Sequence, residues 1–414
     1  MATVVLLGTF DTKGDEYAWL RDRLHEEGCE TLLIDAGVFS DGHGIADILP
    51  TEVAAAAGED LEELRAARDR GASMGIMARG GAVLVKRFFD EGRVHGFLAV
   101  GGSGGSSVAA KAMQAMPVGA PKVLVSTMAA GDVSPYVGVS DVTLMYSVVD
   151  VSGINSISRR VFGNAVTAIA AMAKHYAVTV DAPAEDEKPL IGATMFGLTT
   201  PAVDEARARL TELGYEVLVF HATGAGGKAM EALAEAGFLA GILDLTTTEL
   251  ADDLVGGVLT AGPHRLEAAG RMGLPQVVSV GALDMVNFGP EATIPASFGG
   301  RRFLVHNPTV TLMRTTESEM ATLGRSIATK LAAATGPVAV FLPLQGVSGI
   351  DVAGGPFEDA AADTALFAAI HEGLDGTGVP VTDVDCRIND PGFGLVAANA
   401  LHALITGTTT TEKD

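Results

Sequence analysis

The chain has 414 residues, of which 48% are hydrophobic and 51 are glycine, and this is enough for two domains of about 200 residues each. Its 51 acidic against 28 basic residues give a net charge of -23, which excludes broad contacts with nucleic acid or an anionic membrane. The two cysteines form no zinc-binding pattern and the N-terminus has no basic leader, so we expect a cytoplasmic protein.

The first predicted strand, 4–7, runs into the polar turn GTFDTK at 8–13. Lys13 can neutralise a phosphate there, and Asp11 can either hold Mg²⁺ or cap the following helix. A second strand ends at Asp35, where Rossmann-type sites often carry an acidic residue that binds ribose hydroxyls. The turn and Asp35 therefore predict one edge of a nucleotide site.

The segment 38–79 has no counterpart in the second half of the chain. We expect a charged helix at 59–70, followed by a Gly/Met-rich turn at 71–81. The segment is either a lid over the site or an arm that contacts a second subunit.

A glycine-rich turn, GGSGGSS at 101–107, follows the predicted strand 97–100 and precedes a predicted helix at 108–116. Glycines let main-chain amides approach an oxyanion, and a helix N-terminus adds partial positive charge, so phosphate or carboxylate is the expected ligand. A tight turn without a ligand is the alternative, because neither a P-loop nor a GxGxxG pattern is present. With the hydroxyls that end the fourth strand, the predicted nucleotide-binding residues are Thr9, Asp11, Thr12, Lys13, Asp35, Gly101, Gly102, Ser103, Gly104, Gly105, Ser106, Ser126 and Thr127.

The acidic, proline-containing stretch 181–188 predicts a linker between a first domain, 1–180, and a second, 189–408. Three segments of the first domain match segments of the second in the same order, and each match brackets a strand end. The matching pairs are 4–37 with 189–224, 80–107 with 226–249, and 121–132 with 275–286. Apolar runs that alternate with helices predict βαβ units, and hence an α/β fold of two tandem Rossmann-like domains with mainly parallel sheets, related by duplication.

The second domain replaces the glycine-rich turn by Asp244-Leu-Thr-Thr-Thr-Glu249, which is better suited to hydrogen-bonding a polar metabolite. A histidine, a carboxylate and an arginine at neighbouring strand ends can form a general base and an anion clamp. Each of them alone is more often structural, and Glu249 at a helix start is explained by the helix dipole. The candidate catalytic residues are His221, Glu249, Asp284, His306 and Arg314, and no residue is assigned to a metal.

Several long motifs resemble one family over nearly the whole chain. They are GTFDTK (8–13), GGSGGSS (101–107), PKVLVSTMAAGD (121–132), VVDVSGIN (148–155), FHATGAGGKAME (220–231), DLTTTELAD (244–252), VGALDMVNFGP (280–290) and HNPTVTLMRTT (306–316). The sequence resembles the family of the ATP-binding N-terminal region of the plant tomato mosaic virus resistance protein. The resemblance implies two Rossmann-like subdomains, ATP held by the first, and a homodimer or higher homo-oligomer.

Three functions follow as hypotheses. The first is an enzyme that binds ATP, with or without Mg²⁺, and acts on a small anionic metabolite in the cleft between the domains. The second is a nucleotide-sensing regulatory or interaction protein without catalysis, and the third is an ATP-independent, metal-assisted lyase or hydrolase. None of them involves nucleic acid or a membrane.

Overall fold

A computed structural model describes residues 1–180 and 188–408. These residues form two compact units, one on each side of the gap. The predicted linker lies, except for Lys188, outside the described residues. Within the described ranges, no helix is both long and apolar enough to cross a membrane.

The first unit is built on a five-stranded parallel sheet with the order β2-β1-β3-β4-β5. Its central strands are almost continuously apolar because helices cover both faces. Alternate side chains of β1 point to opposite faces of the sheet. Val5 and Leu7 pack with α4 and α5 on one face, whereas Val4 and Leu6 pack with α1 and α7 on the other. The elements are β1 (Thr3–Gly8), α1 (Phe10–Glu26), β2 (Glu30–Asp35), α2 (Pro50–Ala56), α3 (Leu61–Ala67), α4 (Arg70–Asp90), β3 (Gly96–Gly101), α5 (Ser103–Gln114), β4 (Lys122–Ser126), α6 (Ser134–Val137), β5 (Thr143–Tyr146) and α7 (Ser156–Thr179).

The prediction of a Gly/Met-rich turn at 71–81 is wrong, because this stretch is the first half of the 21-residue helix α4. Its glycines permit close packing: a Cβ at Gly80 would lie 1.9 Å from the Val53 carbonyl oxygen, and one at Gly81 would lie 2.8 Å from Leu7. The predicted charged helix is shorter than expected and ends where Arg68 adopts a positive φ of 50°. The segment 38–79 is thus part of the hydrophobic core that contains Val5 and Leu7 of β1, and it contributes Val53 and Met77 to that core.

The second unit contains a six-stranded parallel sheet with the order β14-β13-β9-β8-β6-β7. Its first four strands in the chain repeat the arrangement of β1 to β4, so the order of both sheets agrees with the duplication. The elements are β6 (Leu190–Met195), α8 (Thr200–Glu212), β7 (Glu216–His221), α9 (Ala225–Glu235), β8 (Leu239–Thr246), α10 (Thr248–Val255), α11 (Ala268–Met272), β9 (Gln276–Gly281), β10 (Met285–Phe288), β11 (Phe303–Asn307), β12 (Val310–Arg314), α12 (Glu317–Ala332), β13 (Val338–Pro343), α13 (Ala360–Leu374), β14 (Val381–Val384) and α14 (Phe393–Thr406). The predicted fold of two tandem Rossmann-like domains with mainly parallel sheets is confirmed.

A small antiparallel sheet, β10-β12-β11, was not predicted from the sequence. It forms between β9 and α12, and its inner strand β12 is buried from Thr311 to Arg314. The motif at 306–316 therefore belongs to a hairpin of this sheet and not to the edge of the parallel sheet.

Candidate functional site

The strand order of the first unit places two turns side by side. From β1 the chain crosses to β2 on one side, and from β3 it crosses to β4 on the other, so β1 and β3 flank the point where the direction of winding reverses. In open α/β sheets of this order, ligands bind beyond the carboxyl ends of the strands at this point. The turns 8–13 and 101–107 lie on its two sides.

Asp35, at the end of β2, holds the turn after β1 through hydrogen bonds to backbone amides. Its Oδ1 accepts hydrogen bonds from the amides of Phe10, at 3.0 Å, and Gly37, at 2.8 Å. The side chain is fully buried, and burial raises the pKa of its carboxyl group. Asp35 therefore fixes the start of α1 from inside the protein and is not exposed to a ribose, in contrast to the prediction.

The four polar residues of this turn, Thr9, Asp11, Thr12 and Lys13, lie where the start of α1 departs from regular helical geometry. Thr9 is the N-cap residue of α1, and its hydroxyl lies 3.1 Å from that of Thr12. Lys13 departs from helical geometry with φ -133° and ψ 18°, and Asp11 is exposed in the first turn without capping the helix. Two hydroxyls, one amine and one carboxylate therefore gather at the switch point.

Helix α5 begins at Ser103, five residues before the predicted start, so most of the glycine-rich motif is helical. Gly102 is the extended N-cap residue, and a Cβ at Gly101 would approach Gly105 Cα to 3.1 Å. The first amides of an α-helix have no partners inside the helix. The motif thus brings the N-terminus of α5 up against the end of β3, which is the geometry of an oxyanion site.

Two of the predicted hydroxyl ligands are used inside the protein. The Ser106 and Ser126 hydroxyls lie 2.6 Å apart and are buried, and Ser126 Oγ also accepts a hydrogen bond from the Met128 amide. They join α5 to the end of β4. Ser103 is exposed and Thr127 is half-buried, so these two hydroxyls have access to solvent.

The groups with access to solvent at this switch point fit a phosphate-containing ligand. They are helix N-terminal amides, the hydroxyls of Thr9, Thr12, Ser103 and Thr127, and the amine of Lys13. No cluster of three or more His, Cys, Asp and Glu side chains suited to a metal occurs among the described residues. Mg²⁺ that arrives with a nucleotide would be held by its phosphates and by Asp11.

Glu249 ends the turn 244–249, which corresponds in the second unit to the glycine-rich motif, and it holds the turn between β7 and α9. Glu249 Oε1 accepts hydrogen bonds from the amides of Gly224, at 2.6 Å, and Gly227, at 3.0 Å, at the N-terminus of α9. Its Oε2 accepts one from Arg265 Nε at 2.7 Å, and the same guanidinium forms a bidentate pair with Asp244. Glu249 is fully buried, so it is not an exposed base, in contrast to its assignment as a catalytic candidate.

The threonines of the turn 244–249 are also buried and paired. Thr246 Oγ1 lies 2.7 Å from Thr199 Oγ1, and Thr247 donates to the Ser279 carbonyl. Thr248 is fully buried as well. The expectation that this turn binds a polar metabolite is therefore not supported by its geometry.

Asp284 and Arg314 belong to a second buried cluster. Arg314 donates to Asp363 Oδ1 at 2.7 Å and to the Phe357 carbonyl at 2.7 Å, which leaves it no role as a solvent-facing anion clamp. Asp284 accepts from the Ser348 hydroxyl at 2.9 Å, and its other oxygen has no hydrogen-bond partner among the described residues. Burial, together with the charge of Asp351, raises the pKa of Asp284.

The two candidate histidines are exposed but belong to different sheets. His221 ends the edge strand β7, and its ring centroid lies 5.4 Å from that of Phe196. His306 lies in β11 of the antiparallel sheet. Because β7 is three positions away from β9, about 14 Å at normal strand spacing, His221 does not join Asp284 in one site.

Sequence reasoning missed Arg265, which joins the carboxylates of the second unit, because no motif surrounds it. It also missed two residues of the insertion in the loop that follows β2. His43 packs its ring against Gly14, and Phe39 projects from the loop after β2. An aromatic residue in the polar stretch at 39–44 was the only signal for Phe39.

Comparisons with known proteins place the chain in a family. The family models described as "Uncharacterised protein family (UPF0261)" match with the N-terminal domain at residues 2–178 and the C-terminal domain at 188–405. A UPF0261 protein of Clostridium tetani is 49% identical over 96% of this chain and 98% of its own length. A solved structure of the glycosyltransferase SnogD from Streptomyces nogalater covers 96% of this chain and 100% of its own at 13% identity, but its TM-score of 0.19 supports no functional comparison.

The suspected plant relationship is confirmed. The ToMV resistance protein Tm-1(GCR237) of Solanum lycopersicum is 43% identical over 80% of this chain, which corresponds to 44% of the tomato protein. Both family models together cover nearly all described residues. The chain belongs to the UPF0261 family.

Proposed function

We propose that this protein binds ATP at the β1/β3 switch point of its first domain. The observation that carries the proposal is the pairing of two turns at that point, one with Lys13 and hydroxyls, the other with the N-terminus of α5. Phosphates would contact the α5 amides and Lys13, and Asp11 would share Mg²⁺ with them. The choice of ATP among nucleotides comes from the resemblance to the plant protein's ATP-binding region.

The second domain gives a reason to expect a nucleotide in the first domain only. The turn 244–249, which corresponds to the glycine-rich motif, is buried, and its Asp244 and Glu249 carboxylates are paired with Arg265 and with the amides of Gly224 and Gly227. We therefore infer one nucleotide per chain. An enzyme acting on a small anionic metabolite has less support, because Glu249, Asp284 and Arg314 are buried and paired.

One contact favours a nucleotide-sensing protein as the second candidate. A Cβ at Gly104 would lie 2.8 Å from Met74 Cε, so the insertion helix α4 packs directly on the glycine-rich motif. A ligand that moves this motif would move α4 with it. In this version of the proposal ATP is a regulator, and the protein acts as a homo-oligomer whose assembly responds to the ligand.

Calorimetry of the full chain with ATP, with and without Mg²⁺, tests the proposal. Lys13→Ala removes a charged contact and should weaken ATP binding roughly 10- to 100-fold. Lys111→Ala, in the last turn of α5, is the matched control and should bind as the wild type does. Absence of ATP binding by the wild type, or equal binding by both variants, would overturn the proposal.

A further inference from the structure

Phe39 is a solvent-exposed aromatic side chain in the loop that follows β2. Its exposed fraction is 68%, against 46% for Tyr146 and 44% for Phe238. It lies in a tight turn closed by a hydrogen bond from the Ser40 amide to the Gly37 carbonyl at 3.1 Å. Single exposed apolar side chains are common on soluble proteins, so a ligand is indicated here by the fixed backbone of this loop and by its contact with the turn 8–13.

The insertion fixes the backbone on both sides of this residue. Arg65 of α3 donates from Nε to the Val38 carbonyl, at 2.7 Å, and from Nη2 to the Ser40 carbonyl, at 2.9 Å. Its third nitrogen pairs with Glu62. One guanidinium therefore holds the carbonyls before and after Phe39, and the ring is presented on an ordered loop.

The loop touches the start of α1. A Cβ at Gly37 would lie 2.9 Å from the Asp11 carboxyl carbon, and the Gly37 amide donates to the buried Asp35. Phe39 follows two residues later. The Phe39 Cα therefore lies within about 7 Å of the Gly37 Cα, at the same edge of the sheet as the turn 8–13 and on the β2 side of that turn.

We propose that Phe39 stacks on the base of the nucleotide. This inference rests on the proposed function, since it assigns the base end of the same ligand. Aromatic side chains stack on any flat base, and a loop whose backbone is already ordered loses little entropy when it binds. Phe39 would add affinity for the nucleoside while the amides and Lys13 hold the phosphates.

Tyr146 is the competing platform at the same edge of the sheet. It ends β5, which is separated from β3 by β4, whereas β2 is the direct neighbour of β1. The backbone of Tyr146 is held in the sheet by its pairing with β4. Position therefore favours Phe39, and Tyr146 serves as the control.

The test compares ATP with inorganic tripolyphosphate, which has the phosphates but no base. Phe39→Ala should weaken ATP binding roughly 5- to 100-fold and leave tripolyphosphate binding unchanged. Phe39→Tyr keeps the ring and should restore ATP binding, and Tyr146→Ala should not change it. Arg65→Ala should shift ATP affinity in the same direction as Phe39→Ala, again without effect on tripolyphosphate.

The outcomes separate this inference from the proposed function. If the wild type binds neither ATP nor tripolyphosphate, the proposed function fails. If the wild type binds ATP, and the ratio of ATP affinity to tripolyphosphate affinity is the same in Phe39→Ala as in the wild type, the stacking inference alone is overturned. It is also overturned if Tyr146→Ala lowers the ratio instead, or if Phe39→Ala changes only the oligomeric state in light scattering.

Discussion

Arg265 Nε donates to Glu249 Oε2 at 2.7 Å, and neither side chain is exposed to solvent. The other oxygen of the same carboxylate, Oε1, accepts hydrogen bonds from the Gly224 and Gly227 amides. A Cβ at Gly227 would lie 2.1 Å from Glu249 Oε2, so the turn is shaped around this carboxylate. In the second domain a buried carboxylate and its arginine thus hold the turn between β7 and α9 from inside the protein.

Replacement of Glu249 by Gln should therefore destabilise the protein. The amide offers one acceptor oxygen in place of two, so either the Gly224 and Gly227 amides or Arg265 Nε lose their acceptor, and a buried donor left without one costs about 1–3 kcal/mol. Glu235→Gln is the control, because Glu235 pairs with Arg271 at the surface and such pairs contribute at most about 1 kcal/mol. Denaturant unfolding of both variants measures the difference, and equal stability of the two would contradict the structural role.

The stability of the protein should depend on Asp252 as the pH changes. Burial raises the pKa of Asp252 to about 7, although three hydrogen bonds from Asn287 and Leu259 oppose this. The unfolded state releases this proton near pH 4 and the folded state near pH 7, so the contribution of Asp252 to stability falls as pH rises between these values. The full loss is roughly 4 kcal/mol.

Asp252→Asn removes this titration and isolates its effect from that of other groups. The free energy of unfolding of the wild type minus that of the variant should decrease from pH 4 to pH 7 and stay constant above pH 8. Denaturant unfolding at each pH measures it. A difference that stays constant or increases from pH 4 to pH 7 would show that the pKa of Asp252 is not raised in the folded state.

Gly101→Ala tests the close approach of β3 and α5. A methyl group there would meet the backbone of Gly105 and Ser106 at 3.1–3.2 Å, which displaces the helix N-terminus. We expect a loss of about 1–3 kcal/mol of stability together with weaker ATP binding. Gly75→Ala, with open space around its Cβ on the exposed face of α4, should be neutral or stabilising by up to about 1 kcal/mol.

Arg314→Met should destabilise the second domain more at high pH than at low pH. Burial and the charge of Asp351 raise the pKa of Asp363 to about 7, and Arg314 is the cation that opposes this. Without it the buried carboxyl groups keep their protons to higher pH, so the loss of stability increases from pH 5 to pH 8. Denaturant unfolding at pH 5 and pH 8 measures this loss of stability, and Arg302→Met, at a half-exposed arginine, is the control. A loss independent of pH would indicate a packing effect only.

The fold was largely predictable because the signals for α/β units are local. Apolar strands, amphipathic helices and helix-ending glycines lie within short windows of sequence. The helix at 70–90 was missed because its glycines suggest a turn, whereas Gly80 and Gly81 serve the packing of α4 on α2 and β1. Such a contact with a distant element leaves no local pattern.

The candidate site was predictable only in part, for the same reason. Glycine turns and polar strand ends identify the edge of a sheet, but not which side chains are already paired. Arg265 follows Glu249 by 16 residues, and Asp363 follows Arg314 by 49, so nothing near the candidate carboxylate or arginine reveals its partner. The structure shows that Glu249, Asp284 and Arg314 are buried. His221 and His306 are exposed but lie in different sheets, so the first switch point is where accessible polar groups lie together.

The Glu249 carboxylate is always present at the amides of Gly224 and Gly227, because the chain itself fixes its effective concentration there. A nucleotide at the switch point of the first domain would instead stabilise that domain in proportion to the logarithm of its concentration. The two halves of the duplication would then respond differently to a falling nucleotide supply. The first domain would unfold more readily, whereas the second would keep its stability.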